Sequence, residues 1–255
     1  MRFANMQTMT RLHAKSALAL IAAILSTLTF TAGCKKKPDA VTIKAKVVAS
    51  DDFMHGLDKW VVEQMPGGTV TAENGVMTIT DAEGCAVWLK QKLTAPVAIS
   101  YEVTMRSEAR VSDMNCFWMA TDPKNPKDLF YADHKRTGKF ATYDGLNLYY
   151  TGYGGNANTT TRFRRYDGTG NRPLLPEHDL ADAPNLLKPD HTYKITLTAQ
   201  DGEARFVCDG KILFSYKDPK PLTEGWFGFR TVQSRMVIKN FRVTTTEVIE
   251  HPQEK

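Results

Sequence analysis

Long apolar runs are missing from this 255-residue chain once its first thirty positions are passed, and a bilayer-spanning helix needs about 20 apolar residues. Helical periodicity is missing too. No window of about 11 residues beyond the N-terminus keeps apolar side chains at i, i+3, i+4 and i+7, which argues against a helical bundle. Cysteine is sparse, four in all, and no CxxC spacing exists, so a zinc site is not expected. There is no internal repeat, no low-complexity linker and no EF-hand spacing. The glycines of Gly152-Tyr153-Gly154-Gly155-Asn156 lack a Walker lysine and a following helix, so they do not form a phosphate loop. They suit positive φ turns close to a ligand. Excess charge is also small. The net charge is +5, and residues 1–33 hold three basic side chains and no acidic one, leaving +2 for the remainder. That balance gives no footing for a nucleic-acid partner.

What is present begins with an export signal. Arg2, Arg11 and Lys15 lead into the apolar run Ala17–Leu25, the pattern of a secretory signal. Thr31-Ala32-Gly33 then precede Cys34. This is similar to a bacterial lipobox, and the resemblance implies cleavage before Cys34 and lipidation there, with plain secretion as the alternative. The expected organisation is a signal peptide over 1–33, a charged tether over 34–49, a single domain over 50–246 and a polar tail over 247–255. The expected location is the bacterial cell envelope, periplasm or cell surface, with membrane contact only through the lipid and the chain acting as a monomer.

The body of the chain reads as all-β. Val97, Ile99, Tyr101, Val103 and Met105 alternate with polar or small partners, as a half-buried strand requires. Asn74-Gly75 is a type I′ hairpin signal. Asp201-Gly202 and Asp209-Gly210 punctuate Tyr193–Tyr216 in the same way, and two last strands join around Gln233-Ser234. The expected architecture is a two-sheet sandwich with regular strands at both ends and an irregular polar segment in the middle. Cys116 and Cys208 fall in apolar or alternating stretches, where a buried free thiol is the default; the alternative, in an exported protein, is a disulfide between two of Cys85, Cys116 and Cys208.

That middle segment, Tyr143–Leu180, gathers four Arg and five Tyr. Arg forks bind carboxylates bidentately, and Tyr rings stack on sugars while their hydroxyls bond to them. The expected partner is an acidic polysaccharide or oligosaccharide. Arg162 and Arg164 share one strand face, with Phe163 and Arg165 on the other. His178 is the general acid/base candidate. For elimination from a uronate, Arg164, His178 and Tyr153 form the catalytic trio. Asp113, Asn115, Asn156, Arg162, Arg172, Glu177 and Arg230 are the substrate-binding set. Gln233 joins Arg230 if the last strands neighbour that of Asn115. Glu177-x-Asp179-x-x-Asp182 offers paired carboxylates as a second mechanism. The alternative to catalysis is a glycan-binding protein without turnover. No cofactor or catalytic metal is expected; Asp51-Asp52 are candidate ligands for a structural Ca²⁺.

Some motifs are familiar. Asp51-Asp52-Phe53, Gly56-Leu57-Asp58-Lys59-Trp60 and Gly225-Trp226-Phe227-Gly228-Phe229-Arg230 resemble the concanavalin A-like lectin/glucanase sandwiches. Arg110–Pro123, Gly152–Asn156, Asn158–Tyr166 and Leu175–Asp179 are similar to the YesU-like family. The resemblance implies a jelly-roll sandwich and a role in rhamnogalacturonan or other pectin degradation, and it assigns no catalytic residue.

Overall fold

The computed structural model describes residues 40–251, with side chains described over 44–246. The expected signal peptide, the Cys34 lipidation site and residues 34–39 lie outside them. Sixteen strands follow in order: β1 (Ala40–Asp51), β2 (Trp60–Gln64), β3 (Thr69–Glu73), β4 (Val76–Thr80), β5 (Cys85–Leu89), β6 (Leu93–Thr94), β7 (Val97–Met105) and β8 (Met114–Thr121). The second half holds β9 (Asn147–Gly154), β10 (Thr160–Asp167), β11 (Asp179–Leu180), β12 (Thr192–Gln200), β13 (Glu203–Cys208), β14 (Lys211–Lys217), β15 (Glu224–Thr231) and β16 (Arg235–His251). They build two antiparallel sheets. The first has the order β14-β13-β12-β7-β16-β4-β3, with β1 on β16; the second has β11-β10-β9-β8-β15-β5-β2, with β6 on β15. This is the two-sheet sandwich that the alternation and turn residues imply, with the concanavalin A-like jelly-roll architecture that the resemblance implies.

Turn chemistry fixes the hairpins. Asn74 and Gly75 have φ of 53° and 82°, Asp201 and Gly202 51° and 75°, and Asp209 and Gly210 48° and 78°. Paired positive φ is the requirement of a I′ turn, and each pair is one that bears it cheaply. Strand β1 takes in residues 40–49 of the expected tether, registered from Ala40 on His251 to Asp51 on Phe241. The alternation Val41, Ile43, Ala45, Val47 is the sequence basis for that strand.

The inward faces of both sheets form one core. Trp60 stacks on Phe229 at 5.6 Å between centroids and meets Phe241 edge-on at 5.0 Å. Cys85, Cys116 and Cys208 are buried and free, and burial raises the Cys116 and Cys208 thiols to about 12.

The second sheet is buried on its outer face as well. Trp88, Phe117, Tyr143, Tyr150 and Tyr166 belong to a separate apolar cluster there, which Leu129, Leu146 and Phe140 complete. Residues 122–146, between β8 and β9, cover it. Their latch is polar. Arg136 Nε donates to Glu63 Oε1 at 3.1 Å, and Trp88 Nε1 donates to Glu63 Oε2 at 3.0 Å. A second guanidinium nitrogen of Arg136 donates to the Leu129 carbonyl. This double burial corrects the expected irregular middle: residues 147–154 and 160–167 are β9 and β10, and irregular backbone is confined to the segments around them.

Candidate functional site

Register across the second sheet assembles a polar row on its outer face. Glu63, Ala86, Arg230, Asn115, Gly152, Arg162 and Asp179 are successive partners across seven strands. Directly opposed residues of neighbouring strands share a face. The next row in is largely aromatic: Val61, Trp88, Gly228, Phe117, Tyr150 and Arg164. Two glycines make room. A Cβ at Gly228 would lie 2.6 Å from the Trp88 ring, and one at Gly152 would strike the Tyr150 hydroxyl. The Tyr150 phenol therefore lies along the sheet over Gly152, bringing its hydroxyl to the polar row between Asn115 and Arg162.

At the centre of the row, two buried side chains each keep an unpartnered atom. Arg230 is 4% exposed and Asn115 2%, and among the described residues nothing bonds Arg230 Nε or Asn115 Oδ1. A buried orphan of this kind costs roughly 1–3 kcal/mol. Asn115 Nδ2 donates to Asp113 Oδ1 at 3.4 Å. The other Asp113 oxygen accepts from Ser112 Oγ and lies 3.5 Å from Arg110. Arg110 also donates to Gln233 Oε1 at 3.0 Å, so Gln233 joins the site as its position after β15 suggested. Asp113 holds φ at 61°, a conformation Asp tolerates better than most residues.

Two bidentate pairs flank the centre. Arg162 donates to both oxygens of Asp179 at 2.8 and 3.0 Å, and Arg172 to both of Asp144 at 2.7 and 2.8 Å. The hydrogen bonds from Arg162 hold the Asp179 carboxyl below its usual range. Phe140 forms the lip. Its ring faces two guanidinium carbons, Arg172's at 4.5 Å and Arg230's at 4.3 Å from the centroid, and it packs on Tyr150 at 5.3 Å. Burial drives the Tyr150 phenol well up, partly countered by Arg230. Tyr166, beside it, is pushed up to about 12 by burial.

The expected catalytic trio is not brought together. Tyr153 is 3% exposed in the inner core, edge-on to Tyr193 and Phe206, because the two-residue period of β9 turns Tyr149, Thr151 and Tyr153 inward. His178 is buried edge-on to Phe163 at 4.9 Å, with Phe214 and Tyr216 next to it. Burial lowers its pKa below 6.5. Arg164 leaves β10 on the face opposite Phe163 and donates to the carbonyls of Arg172 and Pro173.

The remaining expected site residues divide. Asp113, Asn115, Arg162 and Arg230 share the outer face, and Arg172 reaches it from the loop after β10. Glu177 is exposed on the single turn Pro176–His178. Asn156 is exposed on the turn Gly155–Asn158, where Asn156, Ala157 and Asn158 all have φ between 53° and 61°. The paired-carboxylate arrangement does not form: Asp179 is bound to Arg162, and both Asp182 oxygens accept from Asn185. Asp51 is likewise committed to Phe53 N and Trp60 Nε1 at 2.9 and 2.8 Å, and Asp52 accepts from Met54 N. Among the described residues no group of three or more His, Cys, Asp or Glu is placed to hold a metal.

Sequence reasoning missed Tyr150, Phe140 and Arg110 as site residues. A signal for the first existed, since Tyr150 and Gly152 share parity and a glycine on a strand marks close approach.

No curated protein matches the chain. Among solved structures, a protein of unknown function with galectin-like fold from Bacillus subtilis is 18% identical with a TM-score of 0.66, covering 80% of this chain and 99% of its own. A structure reported with endo-acting O-glycanases, which members of the human gut microbiota express to initiate mucin breakdown, is 10% identical at a TM-score of 0.53. It covers 78% of this chain and 98% of its own. The carbohydrate binding module CBM66 from Bacillus subtilis is 10% identical at 0.50, covering 75% and 96%. At such identities the likeness is one of fold. Residues 79–241, most of the chain, match a sequence family, and the chain belongs to it: the family described as "Domain of unknown function (DUF6250)".

Proposed function

We propose that the outer face of the second sheet recognises an acidic saccharide, of the pectin type that the YesU-like resemblance suggests, and that the chain does so as an exported, lipid-anchored protein. The observation that carries the reading is the adjacency of Arg230 and Asn115, register partners with an unbonded Nε and an unbonded Oδ1. A uronate ring presents a carboxylate to the first and a hydroxyl to the second. Arg110, Gln233, Arg162 and Asp179, all solvent-accessible, extend the polar shelf for neighbouring sugar hydroxyls. Carbohydrate-related structures such as the CBM66 module share the fold and lend the reading general support.

Recognition without cleavage is favoured over hydrolysis. The shelf carboxylates are each committed: Asp113 to Ser112 and Asn115, Asp179 to Arg162, Asp144 to Arg172. Hydrolysis by an Asp/Glu pair needs one free nucleophile or base and one protonated acid. Elimination keeps one specific support, the Tyr150 hydroxyl over Gly152 beside Arg230 and Asn115. Its raised pKa keeps it protonated, fit to protonate a leaving oxygen but not to remove an α-proton.

Calorimetric titration with polygalacturonate, rhamnogalacturonan and a neutral galactan tests the reading, with ultraviolet absorbance of unsaturated uronate followed in parallel. Binding of the acidic polymers alone, without absorbance change, is the expected result. Equal binding of the neutral galactan, or none of any, overturns it.

A further inference from the structure

The outer face of the second sheet carries more positive charge than its own acids match. Asp113 has Arg110 at 3.5 Å, Asp144 has Arg172 at 2.7 Å and Asp179 has Arg162 at 2.8 Å. Glu63, two strands from Arg230 in the same row, is bonded to Arg136 and Trp88 beneath the cover. Two guanidinium groups remain. Among the described residues neither Arg230 nor Arg164 has a carboxylate within ion-pair distance. Arg230 faces the Phe140 ring with its Nε unbonded. Arg164 gives one terminal nitrogen to the carbonyls of Arg172 and Pro173. Its Nε and second terminal nitrogen have no hydrogen-bond partner among the described residues, and its side chain is half-buried.

Both unmatched cations bear on the same phenol. Tyr150 is the register partner of Arg164 and packs on Phe140, whose ring Arg230 faces. Burial raises the Tyr150 phenol, and Arg230 and Arg164 both oppose that rise. Arg230 and Arg164 stand three strands and one two-residue step apart in the sheet. At about 4.8 Å per strand and about 3.4 Å per residue, their Cα atoms are about 16 Å apart. Their heads are held by different partners, Arg230's at Phe140 and Arg164's at the loop after β10. A carboxylate that engages one guanidinium fork bidentately has no oxygen left for another. A ligand with a single acid therefore leaves one of these cations unmatched.

We infer that the outer face reads two acidic residues of one glycan chain at once. One uronate carboxylate bonds Arg230, a second bonds Arg164, and the Tyr150 hydroxyl between them donates to a ring or linkage oxygen. The inference rests on the saccharide reading above and narrows it from an acidic sugar to an oligosaccharide with at least two uronates. Arg164, which that reading does not use, becomes a specificity-determining residue.

The full chain is titrated calorimetrically with mono-, di- and trigalacturonate, with trigalacturonate methyl-esterified at every carboxyl, and with sulfate. Affinity is expected to rise about tenfold or more from the monomer to the dimer or trimer, beyond what the greater number of binding registers gives. Esterification removes the rise. These arms use the unaltered protein, so they do not depend on a variant folding. Arg164→Gln is expected to bind the dimer and trimer no better than the monomer. Arg164→Lys, which keeps the charge and a donor for the loop carbonyls, falls between. A flat length series overturns the inference, as does a rise that survives esterification or persists in Arg164→Gln. Sulfate binding as tight as the dimer assigns both arginines to one small dianion and overturns it too. If monogalacturonate binds through Arg230 as tightly as the longer chains do, this inference alone fails. If no acidic saccharide binds, the reading beneath it fails as well.

Discussion

The guanidinium carbon of Arg230 lies 4.3 Å from the centroid of the Phe140 ring, so the best-placed cation on the outer face is roofed by an aromatic side chain. A cation over an aromatic face gains about 0.5–2 kcal/mol, more when desolvated, and the same ring screens Arg230 from solvent. Phe140→Ala is expected to raise affinity for acidic saccharide while lowering stability by about 1–2 kcal/mol, less than a fully buried Phe would cost. Calorimetric titration reads the first and urea denaturation the second. Dicarbonyl labelling of Arg230, followed by mass spectrometry, should accelerate in the variant.

Arg230→Lys retains the charge and removes the planar fork. If Nε is the donor that meets the ligand, affinity falls about tenfold or more. Arg162→Lys should weaken binding less, because Arg162 already spends both donors on Asp179. A larger loss at Arg162 than at Arg230 would put the carboxylate elsewhere on the shelf.

Glu63 bonds Trp88 and Arg136 at once and so ties residues 122–146 to the sheet. Glu63→Gln keeps an acceptor for Trp88 but leaves the buried Arg136 guanidinium with Asp122, at 3.6 Å, as its remaining counter-charge. A loss of up to about 3 kcal/mol is expected in the urea midpoint. The double variant Glu63→Gln with Arg136→Met should recover part of it, because no buried guanidinium is then left short of its main counter-charge. Strict additivity would show that the latch is not coupled.

Burial lowers the His178 pKa below its ordinary 6.5, so the unfolded chain binds more protons than the folded one between the two values. Stability is then fully present above about 6.5 and falls as the pH drops through that window, levelling off below the folded pKa. His178→Phe, which fills the same aromatic surroundings, should flatten this part of the melting-temperature profile. An unchanged slope would exclude His178 as its source.

Much of the sandwich was legible because local chemistry dictated it. Asn74-Gly75, Asp201-Gly202 and Asp209-Gly210 announced their hairpins, and β7 alternates in sequence as it does in burial. The parity of Arg162 against Phe163 was also readable. The middle was not, for a physical reason: β9 is buried along both faces, so no polar alternation survives to show that Tyr150 points out and Tyr153 in. The cover from residues 122–146 removes the signal. Nor does anything local foretell that Arg230 and Asn115 are opposite each other, because β8 and β15 meet only when the sheet closes.

Three thiols sit unpaired inside the described sandwich, and no covalent staple is drawn on to hold it. Its folding then needs no oxidase or disulfide isomerase. Material folded under reducing conditions should be interchangeable with material folded under oxidising ones, which makes the domain straightforward to prepare for every measurement above.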